Sequence, residues 1–321
     1  MLENKKVSIV IPVFNEEKNV PLLYNKLKDV LEKLPYDYEI IFVDDGSTDS
    51  TRTVLESIAQ KDKKVKVIFF ARNFGQTPAM MAGMDFAKGD VIITMDGDLQ
   101  NDPEDIPRLL EKIKEGYDVV SGWRKDRKDA AISRKLPSKI ANWLIGKLTG
   151  VKLHDYGCTL KAYRSDVIRR VRLYGELHRF IPAIASTVTS CDRIIEIPVK
   201  HHPRKYGKSK YGISRTFKVI ADLFFIWFLK KFMQKPIHFF GIFGLILFIL
   251  GFIPFIYLIF LKLTGHPISG RPLLIISVLF ILAGIQMFTT GIISEILMRI
   301  YFESQDKKPY VVERTINVDE K

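Results

Sequence analysis

The chain has 321 residues, and its 49 Lys and Arg residues against 36 Asp and Glu give a formal net charge of +13. That excess favours anionic partners, which include phosphate-bearing substrates, an anionic membrane surface and nucleic acid, and it does not choose among them. Charged residues are dense up to about Lys235 and almost vanish before Arg299, which argues against a uniformly soluble protein. Cys158 and Cys191 are the only cysteines, and their number and spacing exclude a zinc motif or a disulfide scaffold.

The N-terminal half alternates short β-branched runs with amphipathic stretches. The first run, VSIVIPVF, is interrupted by Pro12 and is too short for a signal peptide, so we expect a buried strand and a domain that stays in the cytoplasm. We predict strands at 7–14, 38–44, 65–70, 90–96 and 117–122 and helices at 16–34, 49–60, 76–87 and 103–115. This order predicts an α/β fold with a parallel sheet covered on both faces, in which ligands bind beyond the carboxyl ends of the strands.

The second half of the chain begins with a predicted helix at 133–149 and continues to a basic loop at 201–212. The next segment, 214–232, contains the apolar run LFFIWFL. This run is far shorter than the roughly 20 residues that cross a bilayer. We therefore interpret the segment as an interfacial helix lying on the membrane, with a core helix of the soluble domain as the alternative.

Two further segments are long enough to cross a bilayer. The stretches 237–261 and 273–294 contain no acidic, Lys or Arg side chain, and the short loop 262–271 between them predicts a transmembrane hairpin. Lys and Arg residues concentrate on one side of the pair, which places the large domain and the C-terminus in the cytoplasm. The chain then divides into a catalytic domain at 1–211, interfacial helices at 212–235, a two-helix anchor at 236–298 and a tail at 299–321.

The tail contains KPYVVERTINV, which predicts a β-strand because Val311, Val312 and Ile316 supply apolar positions. An exposed lone strand invites pairing, so we expect it to join a sheet, either that of its own domain or that of a neighbouring protomer. We favour the neighbour, since glycine residues in the two spans also offer a helix-packing surface. The tail therefore predicts a homo-oligomer.

The segment TMDGDLQNDPED, residues 94–105, follows the predicted fourth strand directly. Asp96, Asp98 and Gln100 occupy alternating positions in it, and two carboxylates with an amide oxygen can converge on one hard divalent cation such as Mg²⁺ or Mn²⁺. An Asp-x-Asp pair can also be a solvated turn. Its place at the carboxyl end of a strand favours the metal site.

A second polar segment, VDDGSTDST at 43–51, follows the predicted second strand. Asp44, Asp45 and Ser47 can accept hydrogen bonds from a ribose or a base, while turn and helix-cap chemistry is the simpler interpretation of Ser47. Neither a GxGxxG nor a Walker-type loop occurs. The usual signatures of dinucleotide binding and of P-loop chemistry are therefore missing.

The segments IPVFNE, VDDGSTD, DGDLQ and RKYGKSK together resemble the family 2 glycosyltransferases with the GT-A fold. More closely, they are similar to the polyprenyl-phosphate glycosyltransferases over about residues 5–210, and the two-helix anchor matches the bacterial-type members. The resemblance implies transfer of a hexose from a UDP- or GDP-sugar to undecaprenyl or dolichyl phosphate. It also implies inversion at the anomeric carbon, a divalent metal and an oligomeric assembly.

Site residues follow from the resemblance by position. Phe14 stands where the family usually has tyrosine, which keeps the stacking face and loses the hydroxyl. The implied donor site comprises Pro12, Phe14, Glu16, Asp44 or Asp45, and the metal ligands Asp96, Asp98 and Gln100. The implied lipid-phosphate site comprises Arg124, Arg134 and Ser138, and the loop that closes over the diphosphate contributes Arg204, Lys208, Ser209 and Lys210. Solvated or lipid-facing charge is the alternative for these cations, and Asp155 either contacts the sugar or caps a turn.

The charge balance of the transfer gives the expected mechanism. Negative charge builds on the departing nucleotide diphosphate, where a divalent metal and Arg204 would stabilise it. A phosphate acceptor is already anionic and needs no strong general base. A polysaccharide synthase acting on a hydroxyl is one alternative, but its QxxRW segment is missing. A membrane-tethered nucleic-acid binder is disfavoured because the acidic DGDLQ and VDDG clusters would repel phosphate.

Overall fold

The computed structural model describes residues 5–125, 146, 149–171, 177–203, 236–268, 271–304 and 310–318. These residues belong to two compact units. The first, called the catalytic unit below after its predicted role, comprises Met1–Ile226 together with Lys308–Lys321, and the second comprises Trp227–Lys307. The predicted interfacial segment at 212–235 and most of the predicted helix at 133–149 lie outside the described residues.

The catalytic unit is built on one eight-stranded sheet with the order β7-β5-β6-β4-β1-β2-β3-β8. Its strands are β1 Lys6–Val13, β2 Asp37–Asp44, β3 Val65–Phe70, β4 Val91–Thr94, β5 Val119–Trp123, β6 Lys161–Arg164, β7 Ile194–Pro198 and β8 Val312–Ile316. The first four strands are parallel, as the sequence predicts. They form because each is a short apolar run separated from the next by a helix that covers the sheet.

Helices cover both faces of this sheet. They are α1 Asn19–Leu31, α2 Thr51–Lys61, α3 Gln76–Phe86, α4 Ile106–Lys114 and two short helices, α5 Ser165–Ile168 and α6 Ile181–Ala185. Successive side chains of a strand point to opposite faces, so Ile9 and Ile11 belong to the core layer of α1, α2 and α4, and Val10 to that of α3 and α6. The loops after the strands lie outside both layers and can build a site.

The sheet departs from the prediction beyond β4. The sequence predicts 117–122 as the next parallel strand, but β6 lies between β4 and β5 and is antiparallel to both. β6 has only four residues, KAYR, so no apolar periodicity announces it. Lys161 pairs with Thr94 at the carboxyl end of β4, and the chain just before β6 is therefore delivered to that end of the sheet.

The tail forms the predicted strand, and β8 pairs antiparallel with β3 of the same chain. The preference for a neighbouring protomer's sheet is therefore wrong, and the end of the tail belongs to the catalytic unit. Without β8, β3 would be an exposed edge. Ring contacts stabilise the pairing, since the Arg314 guanidinium lies 4.4 Å from the centre of the Phe69 ring and Tyr310 stacks on Phe70 with 5.2 Å between ring centres.

The second unit contains two long helices, α7 Pro236–Leu263 and α8 Pro272–Ser304. Within them, Phe240–Leu263 and Pro272–Ser294 have mean hydropathies of 2.8 and 2.3 and are long and apolar enough to cross a membrane. Only 17% and 11% of these stretches are buried, which is unlike the core helices of a soluble protein. The helices pack closely at glycine: a Cβ on Gly244 would lie 2.9 Å from the Gly284 carbonyl oxygen, as small residues allow in membrane helix pairs.

Candidate active site

The carboxyl ends of β1, β2 and β4 bring the predicted loops to one edge of the sheet. β1 lies between β2 and β4, so the segments that follow these strands, 14–18, 45–50 and 95–102, are neighbours. The segment 71–75 after β3 joins them, because Asn73 Nδ2 donates to the Asp45 carbonyl oxygen at 3.0 Å. This edge is where the sequence predicts the ligand site.

The loops after β1 and β2 are bonded to each other. The Asn15 N–H donates to Ser47 Oγ at 2.9 Å, and the Thr48 N–H donates to Asn15 Oδ1 at 2.8 Å. Gly46 has a φ of 72°, and a Cβ there would lie 2.5 Å from the carbonyl carbon of Arg72. Both the backbone conformation and the lack of space therefore require glycine in the VDDG motif. The Ser47 hydroxyl thus joins the two loops, and its contact with a ribose or a base stays a prediction.

Asp44 and Asp45 both bind protein groups. Asp44 is fully buried, and its Oδ2 accepts a hydrogen bond from Arg52 Nε at 3.0 Å. Asp45 is 4% exposed, and its carboxylate accepts the N–H groups of Phe74 and Gly75 at 2.7 and 2.9 Å. These acids shape the loops against which a nucleotide base is predicted to lie. The other predicted base contacts are half-buried residues of β1 and the loop that follows it: Pro12, Phe14 and Glu16.

The predicted metal motif forms a strained turn after β4. Asp98 is 6% exposed, and its Oδ1 accepts the Gln100 N–H at 3.1 Å. Leu99 has a φ of 63°, a left-handed conformation that costs a bulky residue about 1–2 kcal/mol. A Cβ on Gly97 would lie 2.8 Å from Val13 Cγ1, so glycine lets the turn approach β1. Backbone strain of this kind is concentrated at functional sites.

Asp96 is half-buried, and two neutral donors orient its carboxylate. Gln76 Nε2 donates to Oδ1 and Thr159 Oγ1 donates to Oδ2, each at 2.7 Å. A carboxylate has about four lone-pair sites, so both oxygens retain capacity for a cation. Sequence reasoning does not assign Gln76 or Thr159 a role. Gln76 could have been found, because it ends the strand-end segment ARNFGQ, whereas Thr159 is delivered by the unpredicted β6.

Arg124 and Asp155 are predicted for different ligands but form one bidentate ion pair. Arg124 Nε and Nη2 donate to Asp155 Oδ2 and Oδ1 at 2.7 and 3.0 Å, and the Gly157 N–H donates to Oδ1 at 3.0 Å. Burial alone would raise the pKa of Asp155, but the bonds from Arg124 lower it to about 2. Burial opposes charge on Arg124 as well, yet the pairing raises the pKa of the guanidinium. Asp155 is therefore ionised at neutral pH and is a poor proton acceptor.

Lys161 is a buried cation that the sequence analysis does not predict. Its side chain is 1% exposed, and its Nζ donates to the carbonyl oxygens of Tyr156, at 3.2 Å, and Cys158. Burial lowers its pKa to about 8, while the charges of Asp155 and Asp96 oppose the shift. Lys161 thus holds the segment before β6 in place and brings positive charge close to two acids.

Six predicted residues lie outside the described part of the chain: Arg134, Ser138, Arg204, Lys208, Ser209 and Lys210. The first three residues of the predicted basic loop, 201–203, are described and are bonded to the metal motif. The His202 N–H donates to the Gln100 carbonyl oxygen at 2.9 Å, and His202 Nε2 lies 2.8 Å from Asp102 Oδ2. Burial raises the pKa of Asp102, but bonds from His202 and the Glu104 N–H bring it below its usual value.

Comparisons with known proteins identify the family of this chain. The family profile described as glycosyl transferase family 2 matches residues 8–172. Dodecaprenyl-phosphate galacturonate synthase from Rhizobium johnstonii is 46% identical over 97% of this chain and 93% of its own length. Undecaprenyl-phosphate 4-deoxy-4-formamido-L-arabinose transferase from Edwardsiella ictaluri is 38% identical over 98% of this chain and 95% of its own length.

A solved structure has the same fold. Glucosyl-3-phosphoglycerate synthase from Mycobacterium tuberculosis, in complex with Mn²⁺, uridine-diphosphate-glucose and phosphoglyceric acid, superposes with a TM-score of 0.55 at 17% identity, over 70% of this chain and 81% of that one. A likeness at this identity shows the fold alone, which is GT-A. The family match and the near full-length relatives show the rest: the chain belongs to glycosyl transferase family 2 and is a glycosyltransferase.

Proposed function

We propose that this glycosyltransferase moves a sugar from a nucleotide-sugar to a polyprenyl phosphate at the cytoplasmic face of a membrane. The observation that carries the proposal is the near full-length match to two relatives whose names state a polyprenyl-phosphate substrate, at 46% and 38% identity. The match is long enough to take in the two apolar helices. Such helices suit an enzyme whose acceptor is a membrane lipid.

A divalent cation, Mg²⁺ or Mn²⁺, fits the residues after β4. Asp96 and Asp98 offer hard carboxylate oxygens. The side-chain N–H of Gln100 donates to the His202 carbonyl oxygen at 3.5 Å, which leaves the side-chain oxygen of Gln100 for a cation. No group of three or more His, Cys, Asp or Glu able to hold a metal occurs among the described residues. Two carboxylates are compatible with Mg²⁺, which usually keeps water and substrate phosphates as its other ligands. When bound, such an ion neutralises charge on the departing diphosphate.

The pairing of Asp155 with Arg124 favours a phosphate acceptor over a hydroxyl. A hydroxyl needs a general base whose pKa lies near the working pH, whereas Asp155 has a pKa of about 2 and is paired with Arg124. A phosphate is already anionic and attacks without a base, from the side opposite the diphosphate, which inverts the anomeric carbon. Arg124 would meet that phosphate through the guanidinium N–H groups that do not bind Asp155, with Arg134 and Ser138 completing the acceptor site.

The donor would occupy the loops after β1 and β2, with its diphosphate at the end of β4. Phe14 offers a ring for the base, and the turn from Asp44 to Ser47 offers polar groups for the ribose. Besides the metal, four residues of the basic loop would bind the diphosphate: Arg204, Lys208, Ser209 and Lys210. The two relatives are named for different sugars, galacturonate and 4-deoxy-4-formamido-L-arabinose, so the test must include both UDP- and GDP-sugars.

The transfer test uses the purified full chain in detergent with undecaprenyl phosphate, Mg²⁺ or Mn²⁺ and a panel of UDP- and GDP-sugars. We expect one labelled sugar to move to the lipid phosphate, and we expect EDTA or Asp98→Ala to abolish the transfer. A glycan that grows on a hydroxyl would support the polysaccharide synthase instead. Full activity in EDTA would contradict the metal assignment alone.

The proposed orientation has the catalytic unit and the tail in the cytoplasm, with the turn between α7 and α8 outside. In a Cys191→Ser background, Cys158 is the remaining thiol and is buried. A cysteine at Thr264, in that turn, should react with an impermeant reagent added outside intact cells. A cysteine at Thr315, which is exposed on β8, should react only after lysis. The reverse pattern would contradict the orientation, and native mass measurement in detergent tests the proposed homo-oligomer.

A further inference from the structure

The C-terminal tail lies beside the candidate nucleotide site within the catalytic unit. β8 pairs with β3 in a register that ends at Phe70 and Val312, and Asn317 Nδ2 fixes the other end of β8 by donating to the Ala59 carbonyl oxygen at 2.7 Å. β3 ends where the 71–75 loop of the site begins. The tail strand therefore supports the strand from which this loop departs.

One side chain of β8 reaches the VDDG motif through an arginine. Arg52 Nη1 donates to Glu313 Oε2 at 3.0 Å, and Arg52 Nε donates to Asp44 Oδ2 at 3.0 Å. The third bond of this guanidinium runs from Nη2 to the Phe70 carbonyl oxygen at 2.6 Å. A single side chain thus ties together the end of β2, the end of β3 and the tail.

The tail also contacts the start of the 71–75 loop. The Ala71 N–H donates to the Val311 carbonyl oxygen at 3.2 Å, and the Tyr310 ring stacks on that of the last β3 residue with 5.2 Å between centres. The same loop donates two N–H groups to the carboxylate of Asp45. Asp44 is therefore held by an arginine that β8 contacts, and Asp45 by a loop whose first residue bonds to the tail just before β8.

We propose that Glu313 is a positioning residue for the donor: through Arg52 it fixes the orientation of Asp44 and of the turn that begins at Asp45. The inference rests on the proposed function, since nucleotide-sugar binding by these loops is itself a proposal. An arginine with three anchors has little rotational freedom, and loss of the Glu313 anchor loosens the two strand ends that it joins. These loops meet the base and ribose and not the reacting carbon, so the effect falls on donor affinity and not on the chemical step.

The test compares Glu313→Gln with Glu56→Gln in the full chain in detergent. Each substitution removes one partly exposed carboxylate that pairs with an arginine where α2 meets β8: Glu313 with Arg52, and Glu56 with Arg314. We measure Kd for UDP and for GDP, and KM for the donor found in the transfer assay. In Glu313→Gln the nucleotide Kd and the donor KM should each rise about two- to fivefold, as expected when a partly exposed ion pair is lost. In Glu56→Gln both should stay at the wild-type value, and kcat and the KM for undecaprenyl phosphate should be unchanged in each variant.

A second substitution tests whether Glu313 acts through Arg52. Arg52→Lys keeps a positive charge beside Asp44 but cannot make the three bonds, so it should raise the donor KM by itself. Combining Glu313→Gln with Arg52→Lys should raise the donor KM no further than Arg52→Lys does alone. The proposal would be overturned if the donor KM rose equally in Glu313→Gln and Glu56→Gln, or if Glu313→Gln lowered kcat alone. If Glu313→Gln fails to fold, Arg52→Lys takes its place in the comparison with Glu56→Gln. A wild-type chain that transfers no sugar and binds neither nucleotide would overturn the proposed function itself, and the inference with it.

Discussion

The ends of β2 and β4 present aspartates to the same edge of the sheet but use them differently. Asp44 is compensated by the guanidinium of Arg52, and Asp45 by two backbone N–H groups. The carboxylate of Asp96, by contrast, is oriented by the neutral side chains of Gln76 and Thr159. Asp44 is therefore already neutralised by an arginine, whereas Asp96, which is held by neutral donors, keeps its charge for a cation. Asp45 also has neutral donors, so the difference between the two strand ends is the one between Asp44 and Asp96.

This difference separates the residues that shape the candidate site from those proposed to bind its metal. VDDG and DGD look equivalent in the sequence, because each places two acids within three residues at the end of a strand. Their bonding partners distinguish them. Asp155 is an informative third case, since it lies at the β4 side of the site but is compensated by Arg124, as Asp44 is by Arg52.

The largest expected contrast is between Asp98→Asn and Asp44→Asn. Asp98→Asn removes a charge assigned to the cation, so we expect kcat/KM to fall by at least about 100-fold while the melting temperature stays near the wild-type value. Asp44→Asn leaves Arg52 without its buried counter-ion, so we expect the free energy of unfolding to fall by about 2–4 kcal/mol. Transfer assays and thermal unfolding in detergent measure the two effects. Unfolding of Asp98→Asn, or a fully stable Asp44→Asn, would erase the contrast.

The Arg124–Asp155 ion pair should make the free energy of unfolding depend on pH in the acid range. The folded pKa of Asp155, about 2, lies below its ordinary value of 3.8. The ionised pair therefore stabilises the fold above about pH 4, and this contribution of roughly 2 kcal/mol is lost as the pH falls toward 2. The free energy of unfolding is measured by urea unfolding at each pH. In Arg124→Met it should fall less steeply than in the wild type between about pH 4 and pH 2.

The control for the acid experiment is Asp192→Asn, which removes an exposed carboxylate of the same unit. Its curve should run parallel to that of the wild type between about pH 4 and pH 2. If Arg124→Met keeps the full wild-type slope, the guanidinium does not hold the pKa of Asp155 down, and the comparison of Asp155 with Asp44 fails.

Thr159→Val should weaken the response to the metal. The hydroxyl fixes one oxygen of Asp96 at 2.7 Å, and loss of such an orienting bond typically costs a metal site about 10- to 100-fold in affinity. We expect the Mn²⁺ or Mg²⁺ concentration for half-maximal transfer to rise by that factor. Thr159→Ser, which keeps the hydroxyl, should restore most of it. An unchanged metal requirement in Thr159→Val would show that Thr159 does not orient a metal ligand.

The predictable part of the fold is the part with strong local patterns. β1 to β4 are apolar runs bounded by polar turns, and α3 was expected at 76–87 and spans Gln76–Phe86. β6 could not be predicted, because it has four residues, carries a lysine into the core and is defined by its antiparallel partners β4 and β5. The partner of β8 was mispredicted for the same reason. A strand pattern shows which residues face a core but not which edge they will join.

The residues of the candidate site also divide into those with a local sequence signal and those without one. The place of Asp96 and Asp98 after the carboxyl end of β4 could be predicted, because a strand and its end can be read from local sequence. Thr159 and Lys161 could not be predicted, since they depend on β6 and reach the site through sheet pairing. The Arg124–Asp155 pair was half predicted: both residues were named, but their bond joins segments 31 residues apart and has no local signal.

The smallest expected effect is that of Ser47→Ala, which deletes a hydroxyl at the end of β2 as Thr159→Val does beside β4. Ser47 is 8% exposed, and its Oγ accepts the Asn15 N–H at 2.9 Å. Loss of this acceptor leaves a partly buried N–H unsatisfied, which costs about 1 kcal/mol. We expect the free energy of unfolding to fall by that amount and the metal concentration for half-maximal transfer to stay at the wild-type value, because the hydroxyl joins two loops and orients no metal ligand. A metal requirement that rises as in Thr159→Val would instead show that the β2 end shares the metal site, and the two strand ends would no longer differ in kind.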